Sequence, residues 1–394
     1  MKLSTFIVTL SLSLLVAALA PTPLNVGAAP EIAIDKLEWK QLPDMPAPVL
    51  AANISRIGDK VIITGGIPQL GTALNKAQIF NLKTLTWEKP LDLVTGRMMH
   101  AQVALDDTRI LIAGGQTGTV KPLGDGLKAT ATCEIIDLKT GLSKEIAPLP
   151  RPLMEPTGHR LPDGRAIIIG GESALIFDPR TGKWAKGIGL REDRMAHAST
   201  LLSDGRVVVV GGVNCASIEV IDPVSGSSKR LGAELPHALD DTRIITLPDD
   251  RVWIIGGQHS RTGFTIDQTW ILDISNPAKS TLTNGPKLQL PKGMADMSVV
   301  QVGPWVIVAG GESEFSGGDI ELHTARLLDT RTLEVHKLPD MTHPHDDAVA
   351  VATERGMIIF GGFQETKMAL PFSGSTKTFS VPQAVPAVEQ LLFK

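Results

Sequence analysis

Seven short apolar runs, each closed by a glycine pair, set the rhythm of the chain. They are VIITGG ending at Gly66, ILIAGG at Gly115, AIIIGG at Gly171, VVVVGG at Gly212, VWIIGG at Gly257, VIVAGG at Gly311 and MIIFGG at Gly362. Each is too short for a helix and is apolar at successive positions, the pattern of a strand buried on both faces. The glycines end the strand where the backbone needs φ > 0 or a close approach. Ahead of each run lies another strand-like stretch, joined to it by a tight turn, written LDDTR, LPDGR, LSDGR or LPDDR in units two to five. Such turns between apolar runs are hairpin signals. After the pair comes a third strand ending at Asn81, Asp137, Asp178, Asp222, Asp273 or Asp329, whose side chain can hydrogen-bond the turn that follows. A fourth strand twice carries Trp, at Trp87 and Trp184. No helical periodicity intervenes, so the pattern predicts repeated four-stranded antiparallel units.

Units repeating every 41 to 56 residues are blades of a β-propeller. The Gly-Gly doublet, the turn acid and the Trp resemble the kelch family over residues 37–394, with one departure: the third-strand aromatic is here Ile, Phe or Leu. The resemblance implies an all-β fold, a seven-bladed kelch-type β-propeller with four antiparallel strands per blade. The seventh unit lacks a clear acid-turn-Trp hairpin after MIIFGG, whereas KLEWKQLPDMP with Trp39 looks like a fourth strand. The N-terminal strand is therefore expected to close the last blade, which also removes an exposed edge. The alternative is six blades plus an irregular tail.

The N-terminus carries Lys2 and an apolar stretch from Phe6 to Ala20, a signal-peptide pattern. Residues 1–29 are read as signal peptide and linker with an uncertain cleavage site, and 37–394 as one domain. The protein is expected to be exported, periplasmic or extracellular, with no membrane span beyond the signal segment. Cys133 and Cys215 fall in non-neighbouring units and are expected to be unpaired. A net charge of −4 offers no basic field for nucleic acid. The chain has no Tyr. This removes the Tyr nucleophile of propeller sialidases and the tyrosyl radical that the kelch resemblance would bring from copper oxidases. No nucleophile elbow, phosphate loop or HExxH is present, and no cofactor or metal is expected.

Chemistry is left to one face. In a propeller the first strand of each blade lines a central channel, and the loops between second and third strands share a face with the blade-to-blade linkers. Those loops are longest in blades 2, 5 and 6, so that face is expected to bind. Counting 14 residues back from each doublet brings Ala51, His100, Pro156, His197, Thr242, Asp296 and Asp347 to one mouth. Near them fall Arg97, Arg194, Glu155, Asp240, Asp241, His345, Asp346 and a set of Met residues. The candidate ligand-binding set is Arg97, His100, Arg194, His197, Asp240, Asp241, Asp296, His345, Asp346 and Asp347. The repeated His and Arg also suit plain structural roles, and the Met set suits packing. The acids, which do not repeat, are the better ligand contacts. His343 and His345 could share a strand face as metal ligands, but a solvated loop explains HPHDD as well. Two functions follow: a monomeric module binding a protein, peptide or glycan on the loop face, or a sugar epimerase, mutarotase or lyase working at the channel mouth. The kelch resemblance includes exported mutarotases.

Overall fold

The computed structural model describes residues 33–68, 71–120, 126–316, 318–372 and 375–393. The signal-peptide reading lies outside them. Among the described residues no helix is long and apolar enough to cross a membrane.

Seven antiparallel sheets follow one another along the chain. Blade 2 shows the plan. Its strands Ala101–Ala104, Arg109–Ala113, Cys133–Asp137 and Leu142–Ile146 run from the centre outward in that order. The other innermost strands are Asn53–Ile57, Thr157–Arg160, Ala198–Leu201, Arg243–Thr246, Ser298–Val302 and Val349–Thr353. The innermost strand of blade 7 lies beside that of blade 1, so the ring closes. In blade 7 the strands Val349–Thr353, Gly356–Phe360 and Val388–Leu392 are completed by Trp39–Leu42, with Trp39 opposite Leu391. The expected closure by the N-terminal strand is what the chain adopts. The irregular-tail alternative falls: between Phe360 and Val388 the tail forms a hairpin, Phe363–Phe372 with Ser375–Ala384. This fourth long insertion was not legible beside the three expected in blades 2, 5 and 6.

The apolar runs behave as predicted. Val61, Ile112, Ile168, Val209, Ile254, Val308 and Ile359 are fully buried, because each second strand is covered by a blade on either side. Between blades 7 and 1 the rings of Phe80, Trp87 and Phe360 meet edge to face, at centroid distances of 5.0 to 5.9 Å, a favoured aromatic geometry. Each turn acid or amide accepts from the backbone N–H two residues on, as Asp137 does from Lys139 at 2.8 Å. Cys133 and Cys215 are buried free thiols.

The glycine doublets join the blades. In blade 4 the N–H of Gly212 donates to the carbonyl of Leu239, in the linker that enters blade 5, at 2.8 Å. A Cβ on Gly211, at φ +67°, would run into that same carbonyl oxygen. The same bond runs from Gly66 to Arg97, Gly115 to Leu153, Gly257 to Met294, Gly311 to His345 and Gly362 to Val49. Blade 3 is the exception. Its strand Ala166–Asp178 continues through the doublet, and Gly170 has no positive φ.

Candidate functional site

Each linker enters its innermost strand through a left-handed residue. These are Ala51, Met99, Glu155, Ala196, Asp241, Asp296 and Asp347, all with φ between +47° and +53°. Seven repeats of one unfavourable conformation make it part of the architecture. Backbone bonds run between these corners, with Met99 N donating to Ala51 O, Asp241 N to Ala196 O and Ala51 N to Asp347 O.

This true register corrects the count from the doublets. The left-handed residue lies 14 before the first glycine in blades 1, 6 and 7 (51 to 65, 296 to 310, 347 to 361). In blades 2 to 5 it lies 15 before (99 to 114, 155 to 170, 196 to 211, 241 to 256). The cause is turn length. Residues 58–59, 303–304 and 354–355 make two-residue hairpins in blades 1, 6 and 7, whereas blades 2 to 5 use the longer Asp turns. Asp296 and Asp347 are therefore not equivalent to His100 and His197, as the uniform count had it. They are equivalent to Glu155 and Asp241.

Four of the seven corners thus carry a carboxylate, and all four line one central cavity of roughly 510 Å³. Arg243, two residues beyond Asp241, lines it as well and approaches Asp296 Oδ1 to 3.5 Å. One guanidinium cannot neutralise four acids. Burial first, and then the neighbouring acids, raise Asp241 to about 7 and Asp296 well above the usual range, while Arg243 opposes both shifts. Glu155 and Asp347 are raised too, chiefly by burial. Such perturbed groups in a cleft mark a functional-site candidate. Glu155 and Arg243 were not in the sequence-derived candidate set, although Glu155 becomes visible once turn length is allowed for.

The remaining candidates point elsewhere. Arg97 and Arg194 are fully buried inside their blades, paired with Glu134 at 3.0 Å and Glu219 at 2.9 Å. Each also donates to its doublet carbonyl, Gly114 or Gly211. His345 holds the matching place in blade 7: Nδ1 bonds Gly361 O at 2.6 Å and Nε2 lies 3.3 Å from Glu389. Glu134, Glu219 and Glu389 also accept linker backbone N–H groups, so the three cation–Glu pairs clamp linkers to blades. None of Arg97, Arg194 and His345 lines the central cavity, so sequence adjacency to the mouth placed them too near it. His345 is thereby committed to Gly361 and Glu389, and His343 also bonds Glu389. No described group of three or more His, Cys, Asp or Glu is arranged to hold a metal ion.

His100 and His197 border the cavity, but their rings are buried in the blades. The Thr64 hydroxyl donates to Gln102, so His100 Nε2 must be the donor to Thr64 Oγ1 at 2.7 Å. His197 Nε2 meets Thr157 Oγ1 at 2.9 Å. Both Nδ1 atoms are buried without a partner, and burial drives both pKa values to about 3. Neither ring carries a proton to spare near neutrality. Asp240 and Asp346 are buried behind the mouth: Asp240 accepts from Ser260 and Asp346 from the backbone of Asp347. Burial and the adjacent Asp347 push Asp346 to about 10.

The loops around the mouth are built. Linker residues Leu50, Met98, Ala295 and Asp346 bridge to the residues just past the doublets, which puts the second-to-third-strand insertions on the linker face. In blade 2, Gln116–Thr117 pairs with Lys128–Ala129, and Thr119–Val120 reaches Gly71–Thr72 of blade 1. In blade 5, Gln258–His259 pairs with Leu239–Asp240. Blade 6 raises the hairpin Glu312–Phe315 with Gly318–Glu321.

A closed ring of seven four-stranded blades defines the chain as a seven-bladed β-propeller. Its doublets and turn acids, together with a distant likeness to curated relatives, support a propeller of the kelch-repeat kind. Human Kelch-like protein 38 is 21% identical over 273 residues, covering 66% of this chain and 44% of that protein. The rat protein of the same name is 24% identical over 230 residues, covering 53% of this chain and 36% of that protein. The chain thus matches less than half the length of these relatives. No protein-family model matches it. Among solved structures, a fungal alcohol oxidase of the AA5 family in complex with copper superposes with a TM-score of 0.64 at 15% identity, covering 89% of this chain and 76% of the other. The structure of YjhT superposes with a TM-score of 0.52 at 14% identity, covering 88% and 99%. At these identities the likeness establishes the fold.

Proposed function

We propose that the protein is a binding module that takes a protein or peptide ligand on its linker face, over the acid-ringed channel mouth. The observation that carries this reading is the ring itself: four carboxylates at equivalent corners of one cavity, served by a single guanidinium. Hairpins of blades 6 and 7 and the paired loops of blades 2 and 5 wall the same face. Kelch propellers commonly serve as binding platforms, which supports the reading by analogy of fold. Cationic side chains complement this mouth best. The test is a peptide array, read at low and high salt, against the protein and against an Asp241→Asn, Asp296→Asn, Asp347→Asn variant. Basic peptides are expected to bind the former and lose affinity on the latter. Indifference of every bound peptide to the triple variant would remove the mouth from the reading.

A second reading, a sugar epimerase, mutarotase or lyase, is favoured by one feature. Asp241, held at about 7 beside other carboxylates, can supply both a protonated and an ionised group near neutral pH. Line-broadening or exchange of sugar anomers in the presence of the protein, abolished in Asp241→Asn, would establish it. The apolar N-terminal stretch supports export. N-terminal sequencing of protein recovered from outside the cytoplasm tests that, and an intact Met1 in exported material would count against cleavage.

A further inference from the structure

We propose that Ser199 is a nucleophile served by His159, and that the central cavity performs acyl transfer on small esters. This goes beyond the binding reading and does not depend on it. Ser199 sits on the innermost strand of blade 4 and lines the cavity. His159 sits on the innermost strand of blade 3, half-buried, with Nε2 2.6 Å from Ser199 Oγ. The serine hydroxyl also donates to Thr157 Oγ1 at 2.6 Å. With that hydrogen on Thr157, His159 Nε2 is the donor to Ser199 Oγ; the reactive form has the imidazole in its Nδ1–H tautomer and the hydroxyl hydrogen turned to Nε2. Burial lowers the His159 pKa to about 4, so near neutral pH the ring is neutral.

The pair is not a product of the repeat. Counting three residues on from each left-handed corner, the positions equivalent to Ser199 hold Ile54, Gln102, Gly158, Ile244, Val299 and Ala350. The hydroxyl–imidazole contacts of His100 with Thr64 and His197 with Thr157 involve threonines; a serine meets an imidazole where blades 3 and 4 meet, forty residues apart in sequence. A nucleophile within hydrogen-bond reach of a base, opening on a cavity, is the arrangement covalent catalysis needs. Arg243, on the next blade, lines the same cavity beside Asp296 and is assigned to the developing oxyanion. The acids of the mouth disfavour anionic esters and favour neutral or cationic ones.

In the first step Ser199 Oγ bonds to the ester carbonyl carbon and its proton passes to His159 Nε2. The carbon–oxygen bond to the alcohol then breaks, and the imidazolium returns the proton to the departing alkoxide. Water completes the cycle: its proton goes to His159, its oxygen to the acyl carbon, and Ser199 Oγ leaves with that proton. No electrons are gained or lost.

The experiment treats the full chain with an uncharged fluorophosphonate and reads intact mass, peptide map and rate. One adduct at Ser199 is expected, formed at least about 100-fold more slowly in His159→Gln, the scale of general base catalysis. Glutamine can keep a hydrogen bond to the serine, and circular dichroism checks that the variant folds. Should it not fold, the peptide map of the unaltered protein still decides. No adduct at Ser199, under conditions that label an authentic serine hydrolase, overturns the proposal. So does an adduct whose rate is indifferent to His159→Gln in a folded variant.

Discussion

Arg97 and Arg194 show how a residue that looks functional in sequence can be structural in space. Each guanidinium is fully buried against a glutamate and a glycine carbonyl. A buried charge left without its partner is costly, whereas an apolar pair of similar volume is tolerated. Glu219→Ala is therefore expected to cost about 3–5 kcal/mol in urea unfolding, with Arg194→Met plus Glu219→Leu recovering most of it. A loss under about 1 kcal/mol for the single variant would deny the clamp its structural role. The corner acids behave in the opposite sense. Glu155, Asp241, Asp296 and Asp347 have folded pKa values raised above their ordinary ones. Between the two values the folded state binds more protons than the unfolded state, so stability falls as pH rises. Glu389 and Asp106, lowered to about 2, contribute stability that is lost only as pH falls below their ordinary values. The buried His100, His159 and His197, lowered to about 3, 4 and 3, also act in the opposite sense to the corner acids as pH falls below their ordinary value. The acids are therefore read through a variant: Asp241→Asn with Asp296→Asn is expected to raise the melting temperature more at pH 8 than at pH 5. A variant whose melting temperature gains no more at pH 8 than at pH 5 would contradict the raised carboxyls.

At the scale of the element, the glycine doublet does more than end a strand. It lets one blade hand a hydrogen bond to the linker of the next. Gly211 and Gly226 separate two reasons for a glycine, since both sit at φ +67° but only Gly211 faces a backbone oxygen. Ala at Gly226 should cost about 1 kcal/mol for the conformation alone. Ala at Gly211 should cost clearly more in chemical denaturation, because Leu239 O would have to move. Equal losses would mean the doublet is a conformational requirement only. The two-residue turns of blades 1, 6 and 7 belong to this scale too. They shift the register by one residue and so decide which side chains share the channel.

For the whole molecule, closure is the decisive event. Trp39–Leu42 pairs with Val388–Leu392, and Trp39 Nε1 donates to Pro339 O at 2.9 Å, so the two ends of the domain share one blade. Without that strand, Val388–Leu392 becomes an open edge, which invites pairing with other chains. A chain beginning after Leu42 is expected to melt at lower temperature and to scatter light on heating. An unchanged melt would show that the ring holds without its N-terminal strand. The sequence by itself determined the period, the all-β class, the strand order within a blade and even the closing strand. Those follow from local patterning, from β-branched runs, Asp turns and glycine pairs that each act on near neighbours. The tertiary structure alone decided the site. Glu155, Asp241, Asp296 and Asp347 come to one level because turn length, not a fixed count, sets the corner. Arg97, Arg194 and His345 turn away because the third strand in their blades carries a glutamate at its second or third position. His159 meets Ser199 because neighbouring blades lay their innermost strands side by side. Each of these depends on contacts twenty-five or more residues apart, which no local pattern records.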